Sequence, residues 1–170
     1  MGEILFRTKL SENLFKGLSP WMQKLPGGLI HVNVVGCALF AAISGSSAAT
    51  VATVGKMSIP ELRKRNYPEK ILLGSLAGSG TLGLLIPPSI ILIIYGVAVQ
   101  ESIAKLFIAG IIPGIMIALI FMSYVIIWSL INKKEMPKIL EEYSFFEKIK
   151  RSKQLLPVIL LISAVIGSIY

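Results

Sequence analysis

The sequence predicts an all-α integral membrane protein, built from a re-entrant helical hairpin, a discontinuous transmembrane helix and a continuous one. Three observations predict it. Of 170 residues, 54% are hydrophobic and 15% charged, and the charges cluster between long uncharged runs, as in membrane proteins. The run Ile71 to Val99 is long enough to cross a bilayer, since a span needs about 20 apolar residues, yet Gly83-Leu84-Leu85-Ile86-Pro87-Pro88-Ser89 interrupts it. A neighbouring run, Leu29 to Val54, is interrupted by Ser44-Gly45-Ser46-Ser47.

Residues 1–28 read as an amphipathic segment. Ile4, Leu5, Leu10, Leu14, Phe15, Leu18, Trp21, Met22 and Leu25 alternate with Arg7, Lys9, Lys16 and Lys24. Such a stretch either lies in the headgroup region or is a solvated linker, and both readings stay open. It lacks the compact apolar core of a signal peptide. Pro26-Gly27-Gly28 ends it and turns the chain.

Residues 29–55 are expected to form the re-entrant hairpin, and charge decides this. The stretch 56–70, expected to be a cytoplasmic loop, holds Lys56, Arg63, Lys64, Arg65 and Lys70 against Glu61 and Glu69. The stretch 133–153 carries seven Lys or Arg against four acids, whereas Gln100–Lys105 holds one of each. Two crossings, 71–99 and 106–132, put both basic stretches on one side, the cytoplasm by the positive-inside rule. The basic N-terminal segment belongs there too, so residues 29–54 must cross an even number of times. Two full spans do not fit into 26 residues at about 1.5 Å per residue. A hairpin with its tip at Gly45 does, because glycine tolerates backbone angles other residues avoid.

In 71–99, each proline removes an N–H donor and its ring clashes with the carbonyl one turn earlier. Pro87 pushes Ile86 out of the helical region, and Pro88 does the same to Pro87. Two half-helices meeting at an unwound segment are expected. Gly74, Gly78, Gly80 and Gly83 suit close helix packing. In 106–132, a further span, Pro113-Gly114 marks a kink. Residues 133–153 form a cytoplasmic amphipathic arm, with Ile139, Leu140, Tyr143, Phe146 and Ile149 at helical spacing. Residues 154–170 read as a truncated transmembrane helix.

No enzyme constellation is present. His31 is the single histidine, with no acid inside an apolar run to pair with it, and reads as a hydrogen-bonded or interfacial residue. No metal spacing, nucleotide loop or aromatic–basic module appears, so the net charge of +8 is assigned to loops and not to nucleic acid. Cys37 has no cysteine to pair with. A single proline would read as a ligand-free kink; Gly-x-x-x-Pro-Pro-Ser at mid-span argues for a site, and the second interruption strengthens that reading. Backbone freed inside a membrane must be buried in protein or line a polar cavity, as in secondary transporters. With no ionisable group suited to a proton relay in the apolar runs, a cation would rest on carbonyls and Ser or Thr hydroxyls, a neutral cage suited to Na⁺. An anion would suit the half-helix N-termini after Gly45 and Pro88, and Ser47, Thr50 and Ser89 are the candidate substrate residues there.

These residues resemble a known family. Gly36 through Gly55, with Ala-Ala-Ile-Ser-Gly-Ser-Ser-Ala-Ala-Thr, looks like the first re-entrant hairpin of the large membrane subunit of TRAP transporters, DctM-like. Gly83-Leu-Leu-Ile-Pro-Pro-Ser-Ile, Ile94-Tyr95-Gly96, Leu106 through Gly114, Pro26 through Leu29 and Ile59-Pro60-Glu61 fit the same family, in the same order.

The resemblance implies a Na⁺-driven symporter for organic acids such as C4-dicarboxylates or sialic acid, without a further cofactor, in the bacterial inner membrane. It also implies a small DctQ-like membrane subunit and a periplasmic substrate-binding protein as partners. Carried over, Ser44, Gly45, Ser46 and Ser47 fall at the hairpin tip, and Gly83, Ile86, Pro87 and Pro88 at the unwound helix, together forming a Na⁺ site. Family members are longer and contain a second, inverted repeat, so the chain is expected to be a fragment holding one half of the site. A membrane structural or assembly subunit that transports nothing is the alternative.

Overall fold

A computed structural model describes residues 10–137, 147 and 151–167. In chain order the helices are α1 (Leu10–Met22), α2 (Ile30–Ser44), α3 (Ser47–Lys64), α4 (Glu69–Gly80), α5 (Ile90–Val99), α6 (Ile103–Ile131) and α7 (Leu156–Gly167). A 3-10 turn, Thr81–Leu84, follows α4, and two more, Lys133–Glu135 and Lys153–Leu155, follow α6 and precede α7. The described residues contain no strand.

The core is built around α2, which touches α1, α3, α4, α6 and α7. Its buried residues, among them Ile30, Val32, Val34, Cys37, Phe40 and Ile43, go right round the helix. A helix apolar on every side needs cover on every side. That requirement bears on the described part of the stretch 1–28: within α1, Leu14, Phe15 and Leu18 are buried in one cluster with Val32, Cys37 and Phe40 of α2. This face of α1 is neither at a lipid interface nor in solvent. The helix also meets the C-terminal segment, where Trp21 Nε1 donates to Ser152 Oγ at 2.8 Å.

The stretch 56–70 is likewise mostly helix, not loop. Val54, Ser58 and Leu62 lie one turn apart on a buried face of α3, so packing carries the helix on to Lys64. Pro60 sits in the exposed face, where its missing N–H leaves the Lys56 carbonyl near solvent. Only Arg65–Pro68 forms the turn. Tyr67 reaches back from it, its hydroxyl accepting the Leu29 N–H at 3.1 Å. His31 is fully buried, and its Nε2 donates to the Pro26 carbonyl at 2.8 Å.

A polar ladder locks α2 to α4. Buried Asn33 Nδ2 donates to Ser75 Oγ at 3.0 Å and to the Leu72 carbonyl at 3.3 Å. Ser79 Oγ donates to the Ser75 carbonyl at 2.6 Å.

Among the described residues, α6 is the one helix long and apolar enough to cross a membrane; its 29 residues span about 44 Å. It runs through Pro113 without interruption. Little of it is buried, and Ile108, Ile112, Ile115 and Leu119 stand exposed with Ile94 and Val97 of α5. Such a surface suits lipid or further protein, not water. The expected arm at 133–153 lies largely outside the described residues.

Candidate site at the hairpin tip and the helix break

The hairpin turns where glycine permits it. Gly45 has φ 61° and ψ 12°, the left-handed conformation, and its N–H closes α2 on the Ala41 carbonyl. Ser46 is extended and caps α3, its Oγ accepting the Ala49 N–H at 3.5 Å. The two arms run back along each other: Gly36, nine residues before the tip, packs on Val54, nine residues after it. Across the turn, Ser44 Oγ and Thr50 Oγ1 are 2.8 Å apart and share a hydrogen bond.

The second interruption is open as the prolines require. After the 3-10 turn, the Leu85 and Ile86 N–H groups both reach the Leu82 carbonyl, at 3.0 and 2.8 Å. The Pro87–Pro88 peptide is cis. Ser89 is extended and fully buried, and its hydroxyl donates to the Leu84 carbonyl at 2.7 Å, bridging the break. Its proton is thereby committed, and the oxygen offers only lone pairs.

The two interruptions meet. The Gly45 carbonyl accepts the Ile90 N–H at 3.3 Å, and a side chain on Gly45 would fall 2.5 Å from the Pro88 carbonyl oxygen. Gly83 rests on the start of α3, where a Cβ would stand 2.8 Å from the Ser47 nitrogen. Gly45, Ser47, Gly83 and Pro88 therefore come together at one junction, with Ser44, Ser46, Thr50 and Ser89 bonded around it, whereas Ile86 and the Pro87 ring lie against α6 at Gly114 and Gly110. Ser47 Oγ is buried there without a hydrogen-bond partner. A buried hydroxyl without a partner is costly, a condition it shares with Ser58 Oγ, His31 Nδ1 and Asn33 Oδ1 elsewhere. Among the described residues no three His, Cys, Asp or Glu side chains come together, so the polar atoms of the junction are hydroxyls, carbonyls and helix-end N–H groups.

Two features escaped the sequence reading. One is the Asn33–Ser75–Ser79 ladder, for which a lone Asn inside an apolar run was the available signal. The other is Gly110 of α6, which faces the Leu85 carbonyl; its four-residue spacing from Gly114 was the signal.

Two helix interruptions meeting side by side, next to a long apolar helix left uncovered, are compatible with a membrane transporter that contains broken helices. The family profile described as "Tripartite ATP-independent periplasmic transporter, DctM component" matches residues 1–170, and the chain belongs to that family, one of transporters and not enzymes. It is 41% identical over 144 residues to the C4-dicarboxylate TRAP transporter large permease protein DctM of Pseudomonas aeruginosa, covering 85% of this chain and 33% of that protein. It is 34% identical over 171 residues to the sialic acid TRAP transporter large permease protein SiaM of Vibrio cholerae, covering 99% of this chain and 39% of that protein. The isethionate TRAP transporter permease protein DctMQ of Oleidesulfovibrio alaskensis is 41% identical over 115 residues, 68% of this chain and 18% of that protein. The chain thus spans at most about two fifths of the length of these three relatives.

Proposed function

We propose that these residues supply one half of the coupling site of a Na⁺-driven, binding-protein-dependent permease for organic acids. Na⁺ is held by the hydroxyls of Ser44, Ser47 and Thr50 with carbonyls of the tip and the break, Gly45, Ser46, Pro87 and Pro88 among them. Gly83 contributes by letting the break approach Ser47. The observation that carries this reading is Ser47 Oγ, buried and unpartnered where the tip meets the break. Neutral oxygens suit a monovalent hard cation.

The organic acid is placed at the same junction, its carboxylate toward the first-turn N–H groups of α3 and α5 beside Ser47, Thr50 and Ser89. Ser89 serves there through its backbone, its hydroxyl proton being used by Leu84. The relatives' names include C4-dicarboxylate, sialic acid, isethionate and ectoine; each carries a carboxylate or sulfonate, ectoine as a zwitterion, which supports an acidic group without choosing a substrate. A small DctQ-like membrane subunit and a periplasmic binding protein complete the system; the name DctMQ supports the first. The setting is the bacterial inner membrane, crossed several times, with residues 29–55 re-entrant.

The test is uptake of labelled C4-dicarboxylates and sialic acid into proteoliposomes holding a full-length permease with these 170 residues, its small subunit and its binding protein. Uptake should require an inward Na⁺ gradient. Equal uptake with K⁺ in place of Na⁺ would sink the coupling assignment.

A further inference from the structure

We propose that Gly110 of α6, remote from the tip in sequence, is a positioning residue that sets where the carbonyls of the break point. This rests on the coupling reading above. A Cβ at Gly110 would stand 2.8 Å from the Leu85 carbonyl oxygen and 3.2 Å from Leu92 Cδ1. The first neighbour is backbone, which cannot rotate away as a side chain can. One turn on, Gly114 differs: its Cβ would meet mainly Ile86 Cγ1, at 3.0 Å, a side-chain atom and not backbone. The bare Gly110 backbone is therefore the seat on which Leu85 rests.

A displacement at Leu85 travels. Pro87 and Pro88 each have φ locked, and each restricts the residue before it, so Ile86 to Pro88 is a stiff rod. At its far end the Pro88 carbonyl faces Gly45, and the Ile90 N–H, two residues further on, is bonded to the Gly45 carbonyl. Pushing Leu85 off α6 by a few tenths of an ångström thus re-aims oxygens at the opposite end. Gly45 rests on Pro88 and Ile90, and Ser47 on Gly83, so the effect of Gly110 reaches the tip through the break.

The experiment uses the full-length permease with its partners, and reads the Na⁺ concentration for half-maximal uptake and the Na⁺-dependent rise in melting temperature. Gly110→Ala should raise half-saturating Na⁺ about tenfold, the change expected when one hydrogen-bond-sized interaction is lost. Adding Leu92→Ala removes the side-chain clash and leaves the carbonyl clash, so it should not restore Na⁺ affinity. Gly114→Ala should have a smaller effect. Gly74→Ala, with nothing within 4 Å of its Cβ, should have none. Rescue by Leu92→Ala, normal Na⁺ dependence in a folded Gly110→Ala protein, or failure of both Gly110 variants to fold would each overturn the proposal and leave Gly110 a packing residue. Unmodified permease whose uptake ignores Na⁺ would overturn the coupling reading itself, and is distinguished before any variant is compared.

Discussion

Gly83 lies against Ser47 so closely that a Cβ would sit 2.8 Å from the Ser47 nitrogen and 2.9 Å from its Cα. Backbone touches backbone here, between the end of one broken helix and the start of the other hairpin arm. Gly83→Ala should therefore force the two apart, with no rotamer to relieve it. A rise of about tenfold or more in half-saturating Na⁺, or a loss of about 1–3 kcal/mol in stability, is expected in a full-length permease. An unchanged melting temperature together with unchanged Na⁺ dependence would show the contact to be slack.

The break itself depends on two prolines. Pro87→Ala with Pro88→Ala lets α4 and α5 approach a continuous helix and withdraws the carbonyls between them. Na⁺ dependence should be lost or strongly weakened while the protein stays folded. Ser89→Ala acts differently, because its hydroxyl bonds the Leu84 carbonyl. It should cost about 1–3 kcal/mol of stability by leaving that carbonyl unpaired. A folded double-proline variant with normal Na⁺ dependence would make the break a packing feature only.

Orientation follows from charge. Residue 64, at the end of α3, and residue 133 should be cytoplasmic, and residue 101, in the turn between α5 and α6, periplasmic. Single cysteines at these positions, in a Cys37→Ala background, should label with an impermeant maleimide in intact cells at 101 alone. Labelling at 64 but not at 101 would reverse the topology and remove the reason for a re-entrant hairpin.

Tyr67 predicts a pH effect. Burial raises its phenol above the usual value of 10.0, offset in part by the Leu29 N–H bond and by Arg65. A raised folded-state value means the neutral phenol contributes stability fully below about pH 10, lost as pH climbs through the folded value. Melting temperature should accordingly fall as pH rises above about 10, and fall less in Tyr67→Phe, which cannot ionise. Tyr67→Phe should also be less stable at neutral pH, since the Leu29 N–H loses its acceptor. Parallel pH curves for the two proteins would remove Tyr67 from the account.

The last expectation concerns the 170 residues alone. The tip and the break present polar backbone on a surface that a second half is proposed to complete. Reconstituted by itself, the chain should give no Na⁺-dependent uptake of organic acids. Robust uptake would mean that the junction of Gly45 and Pro88 is a complete site.

What the sequence determined by itself was local. Gly45 turns the chain because only a residue without a Cβ takes φ 61° without strain, and Pro87-Pro88 opens the helix because two N–H groups are missing in a row. Both constraints act within a few residues and need no partner, so the two interruptions and the helices around them were legible from the residues. The clustering of Lys and Arg was legible for the same reason.

Which surfaces meet was decided only by the tertiary structure. Nothing local distinguishes an interfacial α1 from one buried on α2; the all-round apolarity of α2 decides it, because its back face must be covered. Residues 56–64 stay helical because Ser58 and Leu62 find a buried face, a gain that outweighs Pro60 and the basic charges. Ser89 turns inward to Leu84, and Gly110 receives the Leu85 carbonyl from a segment some twenty-five residues earlier in the chain. Close approach of this kind depends on the sum of many weak contacts across distant segments, and no single stretch of chain carries that sum.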